Sequence, residues 1–289
     1  MDELDTIIRD FIEASKRGAQ KEQAEKLVKP LAKALRKAFW AQGALFMKKL
    51  NKYAPKFSEK YSDENPFVRY ARKLATPIKE VISASDWMSI WDEVALATLA
   101  LFAEPIDKAV AQALLVGGLA TIAQLGVDIN FDLDNPRAKA YLEEYGAKLV
   151  AGVNETTKGY IQTLMVQAAE EGWSYQKTAQ ELMARFDEFA IGMPQAHIDS
   201  RAHLIAVTEI GNAYSEGNLQ IAMDLKAAGL TVEKFWSTVG DGLVSDGCKE
   251  NEAAGWIGID EMFPSGDQRP LRFPGCRCDL LTQVVKSGK

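Results

Sequence analysis

At 289 residues, 47% of them hydrophobic and 26% charged, the chain can bury a sizeable core in one large or two smaller domains. That composition excludes a disordered or low-complexity protein, and three cysteines in so long a chain do not make a disulfide framework. The net charge of −6 conceals an asymmetry: residues 15–60 hold 13 Lys+Arg against 3 Asp+Glu, or +10, which leaves −16 for the remainder.

The opening Met1-Asp2-Glu3-Leu4-Asp5 is acidic where a secretory signal is basic, so synthesis in a reducing cytoplasm is expected. Leu4, Ile7, Ile8, Phe11 and Ile12 recur at helical spacing and predict a short amphipathic helix ending near Gly18. Leu27, Leu31, Leu35, Phe39 and Phe46 mark one face of a second, longer helix, which Pro30 either starts or bends. Lys29, Lys33, Arg36, Lys37, Lys48 and Lys49 belong to the basic arm, 15–60. Such an arm on an acidic body either meets nucleic acid or an acidic protein surface, or solvates the outer face of its helix. The Pro, Ser and Asn content of residues 54–66 marks a hinge candidate.

From Asp86 the pattern turns apolar, with Pro105 expected to bend or divide the segment before a helix over Ala109–Leu125. Ala109 to Val127 carries no charge, but it is rich in Ala and Gly and holds Gln112 and Gln124, which favours a packed bundle helix over a membrane span. Asp134-Asn135-Pro136 is a helix start, a side-chain cap followed by proline at the first helical position. One helix is expected from there to about Val150 and another from about Glu155 to Glu171. Gly172-Trp173-Ser174 breaks the chain and caps a helix whose stripe is Tyr175, Ala179, Leu182, Met183 and Phe186, and Gly192-Met193-Pro194 breaks it again. A further helix carries Arg201 to Gly217. After Gly229 the β-branched and aromatic run Val232–Val239 predicts a strand, and Asp279–Val284 a second. The fold class is therefore mainly α: an elongated helical N-terminal body over 1–171, then a small α+β, loop-rich C-terminal module over 172–289.

All three cysteines lie in that module, which has too few apolar residues to hold itself shut. Three fastenings fit the sequence. Cys248, Cys276 and Cys278 could supply thiolates to a structural zinc, completed by Asp246, Asp241, His203 or water. They could equally be small buried hydrophobes in a module pinned to its helix by hydrogen bonds, or Cys248 could form a disulfide with Cys276 or Cys278. On the helix, Arg201, Thr208 and Asn212 share one face, with Glu209 about 80° round from Arg201. Under loops, such groups satisfy backbone amides and carbonyls. The rival reading makes Glu209 a general base and Arg201 an anion clamp. His197 and His203, the only histidines, do not assemble a hydrolytic triad and read as helix-surface or capping residues.

Ile205-Ala206-Val207-Thr208-Glu209 with Asn212, Ala213 and Gly217, then Trp236 with Asp241-x-x-Val244, and finally Pro274-Gly275-Cys276-Arg277-Cys278, resemble the phage Mu F-like minor head protein family. The likeness runs from about residue 172 to 281. It departs where family members carry Cys-x-x-Cys, since Ser245 stands in the first cysteine's place. It departs again where their His-Pro-Asn-Cys-Arg-Cys becomes Phe273-Pro274-Gly275-Cys276-Arg277-Cys278, so two possible metal ligands are missing. The resemblance implies a structural protein of a tailed phage virion, present in few copies at the portal vertex and acting in head assembly, DNA packaging or ejection. Portal protein, other head proteins and phage DNA are the implied partners, with the host cytoplasm as the place of assembly. No small-molecule substrate, catalytic residue or certain cofactor is expected. Two rival classes stand against this: a head-carried effector of ADP-ribosyltransferase-like type using Arg201, Thr208 and Glu209, and a membrane-active ejection protein using Ala109 to Val127.

Overall fold

The computed structural model describes residues 3–53, 75–190 and 200–285. The hinge candidate at 54–66, His197 and the break at Gly192-Met193-Pro194 lie outside them. Among the described residues the protein is mainly helical, with one small antiparallel sheet near its C-terminal end. The helices are α1 (Glu3–Leu50), α2 (Ile78–Val81), α3 (Ala84–Leu125), α4 (Pro136–Glu170), α5 (Tyr175–Ala190), α6 (Arg201–Ala227) and α7 (Asp246–Ala253). The strands are β1 (Val232–Ser237), β2 (Ile257–Gly258) and β3 (Asp279–Val284).

Two expected helix ends are absent, and a third helix is not divided at its proline. The helix predicted to end near Gly18 is continuous with the next one as α1, with Pro30 inside it. Proline removes one backbone hydrogen bond. Burial of Leu31, Leu35, Phe39 and Phe46 beyond it outweighs that loss. Pro105 likewise lies inside α3, where Phe102 and Ile106 on either side of it are both fully buried. The gap expected between Val150 and Glu155 closes into α4, because Asn154 is a buried acceptor for Gln42 Nε2 at 3.0 Å and does not act as a turn residue. The helix starts agree better with the sequence: Asn135 Oδ1 accepts from Arg137 N at 2.9 Å, and Ser174 Oγ from Lys177 N at 3.1 Å.

The chain packs as two compact units built from interleaved segments, Met1–Ala32, Pro105–Gly146 and His203–Lys289 in the first, Lys33–Glu104 and Ala147–Ala202 in the second. The second unit has an aromatic core. Phe39 meets Phe102 edge-on at 5.1 Å, and Phe46 lies 6.2 Å from Trp91 and 6.3 Å from Phe186. Gln42, fully buried there, also donates to Thr98 Oγ1 at 3.1 Å, so the polar group introduced into the core is tied on its donor side.

In the first unit the second half of α3 packs on α6 at backbone distance. A methyl group added at Gly117 would meet Tyr214 O at 2.0 Å, and one at Gly217 would meet Leu114 O at 2.2 Å. This is the reason for the Ala and Gly content of residues 109–127: bare backbone lets two helices approach where side chains would hold them apart. Val110, Ala113, Leu114 and Ala120 are buried, and Thr121 Oγ1 donates to Asn218 Oδ1 at 3.0 Å. By length and composition α3 could also cross a membrane, although half of its most apolar window is buried here.

The sheet of the same unit has the order β2-β1-β3, all antiparallel, with Val232 opposite Val284, Trp236 opposite Leu280 and Ser237 opposite Asp279. β1 buries alternate residues, Val232, Lys234 and Trp236, against the module. Lys234 is an unusual member of such a stripe. Its ammonium is held by Gln268 O at 3.0 Å and by the Gln268 side chain, and burial pulls it down to about 8.

Candidate functional site

The module is organised on α6, whose residues hold the loop 269–275 at three successive levels. Thr208 Oγ1 donates to Leu204 O at 2.7 Å and accepts from Gly275 N at 2.9 Å. Gly211 leaves room for Leu271, whose Cδ1 would stand 2.9 Å from an added Cβ. Asn212 Oδ1 accepts from Arg269 at 3.4 Å, and Glu216 Oε2 from Arg269 Nε at 2.8 Å. Positions 208, 212 and 216 recur every four residues, so one helix face meets one loop.

Arg201 does not join that set. It donates to Thr157 Oγ1 at 2.8 Å and Val153 O at 3.0 Å and lies over the Phe39 and Tyr160 rings, all within the second unit. Burial lowers its guanidinium to about 10, which leaves it charged at neutral pH. His203, also on α6, lies outside the sulfur group.

Glu209 belongs to a buried polar cluster that sequence reading missed. Tyr145 donates to its carboxyl and accepts from Asn212 Nδ2 at 2.9 Å, while Tyr141 stacks on Tyr145 at 4.9 Å. Burial holds both phenols protonated well above their ordinary range. Two tyrosines four residues apart on α4 were the available signal, but they read as ordinary members of an amphipathic face. Burial lifts the Glu209 carboxyl to about 7, against the opposing pull of Tyr145, and its second oxygen has no hydrogen-bond partner. A carboxyl titrating there beside phenols has the proton affinity of a general base. It is only 8% exposed, however, and the surface hollow lined by Arg137, Glu216, Gln220, Met223 and Lys226 does not include it.

This titration predicts a pH dependence. Between the unfolded value of 4.5 and the folded value of about 7, the folded chain keeps a proton that the unfolded chain has lost, so stability falls as pH rises through that window. Glu209→Gln should flatten this slope and exceed the parent's stability at pH 8 by on the order of 2 kcal/mol. Urea unfolding at pH 5 and pH 8 measures both effects, and a variant weaker than the parent at pH 8 would contradict them.

Beyond β1 the fastening continues through side chains. Thr238 N and Oγ1 both donate to Glu252, each at 2.8 Å. Asn251, fully buried on α7, donates to Ser265 Oγ at 2.8 Å and accepts from Ser265 N at 3.0 Å. α7 was not predicted from the sequence. Its start is set by Ser245, whose hydroxyl caps Cys248 N. Asp241 closes its own turn by accepting from Leu243 N at 3.0 Å and pairs with Arg277 at 2.5 Å, which ties the Asp-x-x-Val turn to the Cys-Arg-Cys segment.

Trp236, fully buried, centres a core with Phe263, Leu280 and the three cysteines. Cys248, Cys276 and Cys278 are free thiols whose sulfurs all lie within 4.8 Å of one another, Cys248 and Cys276 at 3.9 Å. Donation from Cys278 and from the backbone N–H groups of Cys278 and Arg272 pulls Cys276 down to about 5. The same coupling pushes Cys278 up, and burial pushes up Cys248. Neither suggested carboxylate joins the sulfurs: Asp241 is taken by Arg277, and the Asp246 side chain is 93% exposed and paired with Lys249 at 3.1 Å.

Of the basic residues singled out in α1, Lys29, Lys33, Lys37 and Lys48 are exposed. Arg36 and Lys49 are half-buried, with Lys49 paired to Glu93. No curated protein and no solved structure matches the chain. Residues 159–281 match the family model described as Phage Mu protein F like protein, a span that takes in the end of α4, the whole of α6, the sulfur group and the first half of β3. Over those residues the chain is similar to this family, which is one of phage head morphogenesis.

Proposed function

We propose that the chain is a structural minor head protein of a tailed phage, bound at the portal vertex with portal and other head proteins, where it serves head assembly, DNA packaging or ejection. The observation that carries the reading is the family match over 159–281. The commitment of Thr208, Asn212 and Glu216 to holding the chain's own loop accords with a fastening role and not with turnover of a substrate. Mass spectrometry of purified heads and capture by purified portal rings test the placement. Absence from finished heads together with no retention on the portal would remove it.

The DNA part of the proposal rests on the exposed lysines of the basic arm. Binding to duplex DNA should weaken by a log–log salt slope of about −3 to −4 if Lys29, Lys33, Lys37 and Lys48 each meet a phosphate. Replacing Lys33 and Lys37 by Gln should reduce that slope by about 2. Fluorescence anisotropy across a salt series measures both slopes, and salt-insensitive or absent binding would take DNA out of the account.

A further inference from the structure

We propose that Cys248, Cys276 and Cys278 bind one thiophilic metal ion of the zinc class as three thiolates, with the Trp236 indole N–H supporting Cys278. The spacing fits. A tetrahedral ion with metal–sulfur bonds of about 2.3 Å sets its sulfurs about 3.8 Å apart. Cys248 and Cys276 already stand 3.9 Å apart, and the third sulfur lies within 4.8 Å of both. All three side chains are buried, and they come from two separate segments, the first turn of α7 and the approach to β3.

The surroundings supply more donors than three neutral thiols need. The Ser245 hydroxyl acts on Cys248, and the backbone N–H groups of Arg272 and Cys278 act on Cys276. Trp236 Nε1 is buried with no conventional hydrogen-bond partner, and it acts on Cys278. A buried N–H facing a neutral sulfur is poorly satisfied, and the same group facing a metal-bound thiolate gains a strong acceptor. Charge is also provided for. Cys248 sits in the first turn of α7, where the helix end favours an anion, and the Arg272 guanidinium lies against Gly247 beside it. Three thiolates and a divalent ion leave one net negative charge next to that arginine. Binding releases the protons still held on sulfur to solvent, so affinity rises with pH. Among the described residues no carboxylate or imidazole joins the group, so these residues supply three ligands, and the proposal gives the fourth position to solvent.

The test uses the full chain, purified with a phosphine reductant and offered zinc or cobalt(II). Elemental analysis should find one zinc per chain retained through desalting. Cobalt should give a sulfur-to-metal charge-transfer band and the intense ligand-field bands of a tetrahedral site. Chelation should lower the melting temperature. Since cysteine variants could fail to fold, Trp236→Phe is the second arm: it keeps an aromatic ring in the core, should stay folded, and should bind the metal about 10- to 100-fold more weakly. A folded, reduced parent chain that takes up neither metal would overturn the proposal, and so would undiminished uptake after all three cysteines are replaced by Ser.

Discussion

Gly217→Ala should lower the melting temperature of the full chain by about 6–12 °C, corresponding to a loss of roughly 3 kcal/mol. Alanine in a helix interior is ordinarily worth about 1 kcal/mol over glycine, so helix propensity alone predicts the opposite sign. Packing wins because the new methyl would lie 2.2 Å from Leu114 O and 2.7 Å from Gly118 N, and backbone atoms cannot rotate aside as a side chain can. The helices would have to separate, and the contacts of Val110, Ala113 and Leu114 would loosen along the whole seam. Gly117→Ala attacks the same seam from α3, where the methyl would meet Tyr214 O at 2.0 Å. The double variant should cost less than the sum of the two, since the gap opened by one alanine partly accommodates the other. Thermal unfolding followed by circular dichroism measures all three variants. A Gly217→Ala protein melting within about 2 °C of the parent would show that this seam is not close-packed.

Trp236→Ala should cost about 3–5 kcal/mol, the usual range for removing a large aromatic side chain from a core. The indole is fully buried and meets Phe263 edge-on at 5.2 Å, and the small C-terminal sheet has few other large apolar groups to close the space. The damage should concentrate in this module. The thiols of Cys248, Cys276 and Cys278, buried in the parent, should react much faster with a thiol reagent, while the far-ultraviolet spectrum, dominated by the long helices, changes little. If thiol reactivity stayed at the parent's rate, the idea that Trp236 closes this core would fail.

The sequence made local decisions legible where one or two residues decide. Asn135 before Pro136, Ser174 after Gly172, and the β-branched run at Val232 each specify their element without help from the rest of the chain. It misled where a helix runs on through an expected end, as at Gly18 and at Asn154, the latter buried on a long-range hydrogen bond. α7 was missed because eight mostly polar residues show no apolar period, and only its Ser245 cap announces it. In the site, the residue types on α6 stood out, but their partners did not. Tyr145 is 67 residues from Asn212, and Gly275 is 67 residues from Thr208, separations that no pattern within a helix or loop can bridge. The separate engagement of Arg201 had the same cause, since Thr157 lies 44 residues away in the middle of a long helix.

The glycine seam also bears on how the family segment could be handled in isolation. A fragment cut to residues 159–281 would keep α6 but lose the stretch of α3 that covers its bare backbone at Gly217 and the Tyr214 carbonyl. The exposed α6 surface would then have only water to face, and such a piece should aggregate or borrow a substitute helix from a neighbouring copy. The sequence before residue 159 is, for this reason, part of what lets the family segment stand.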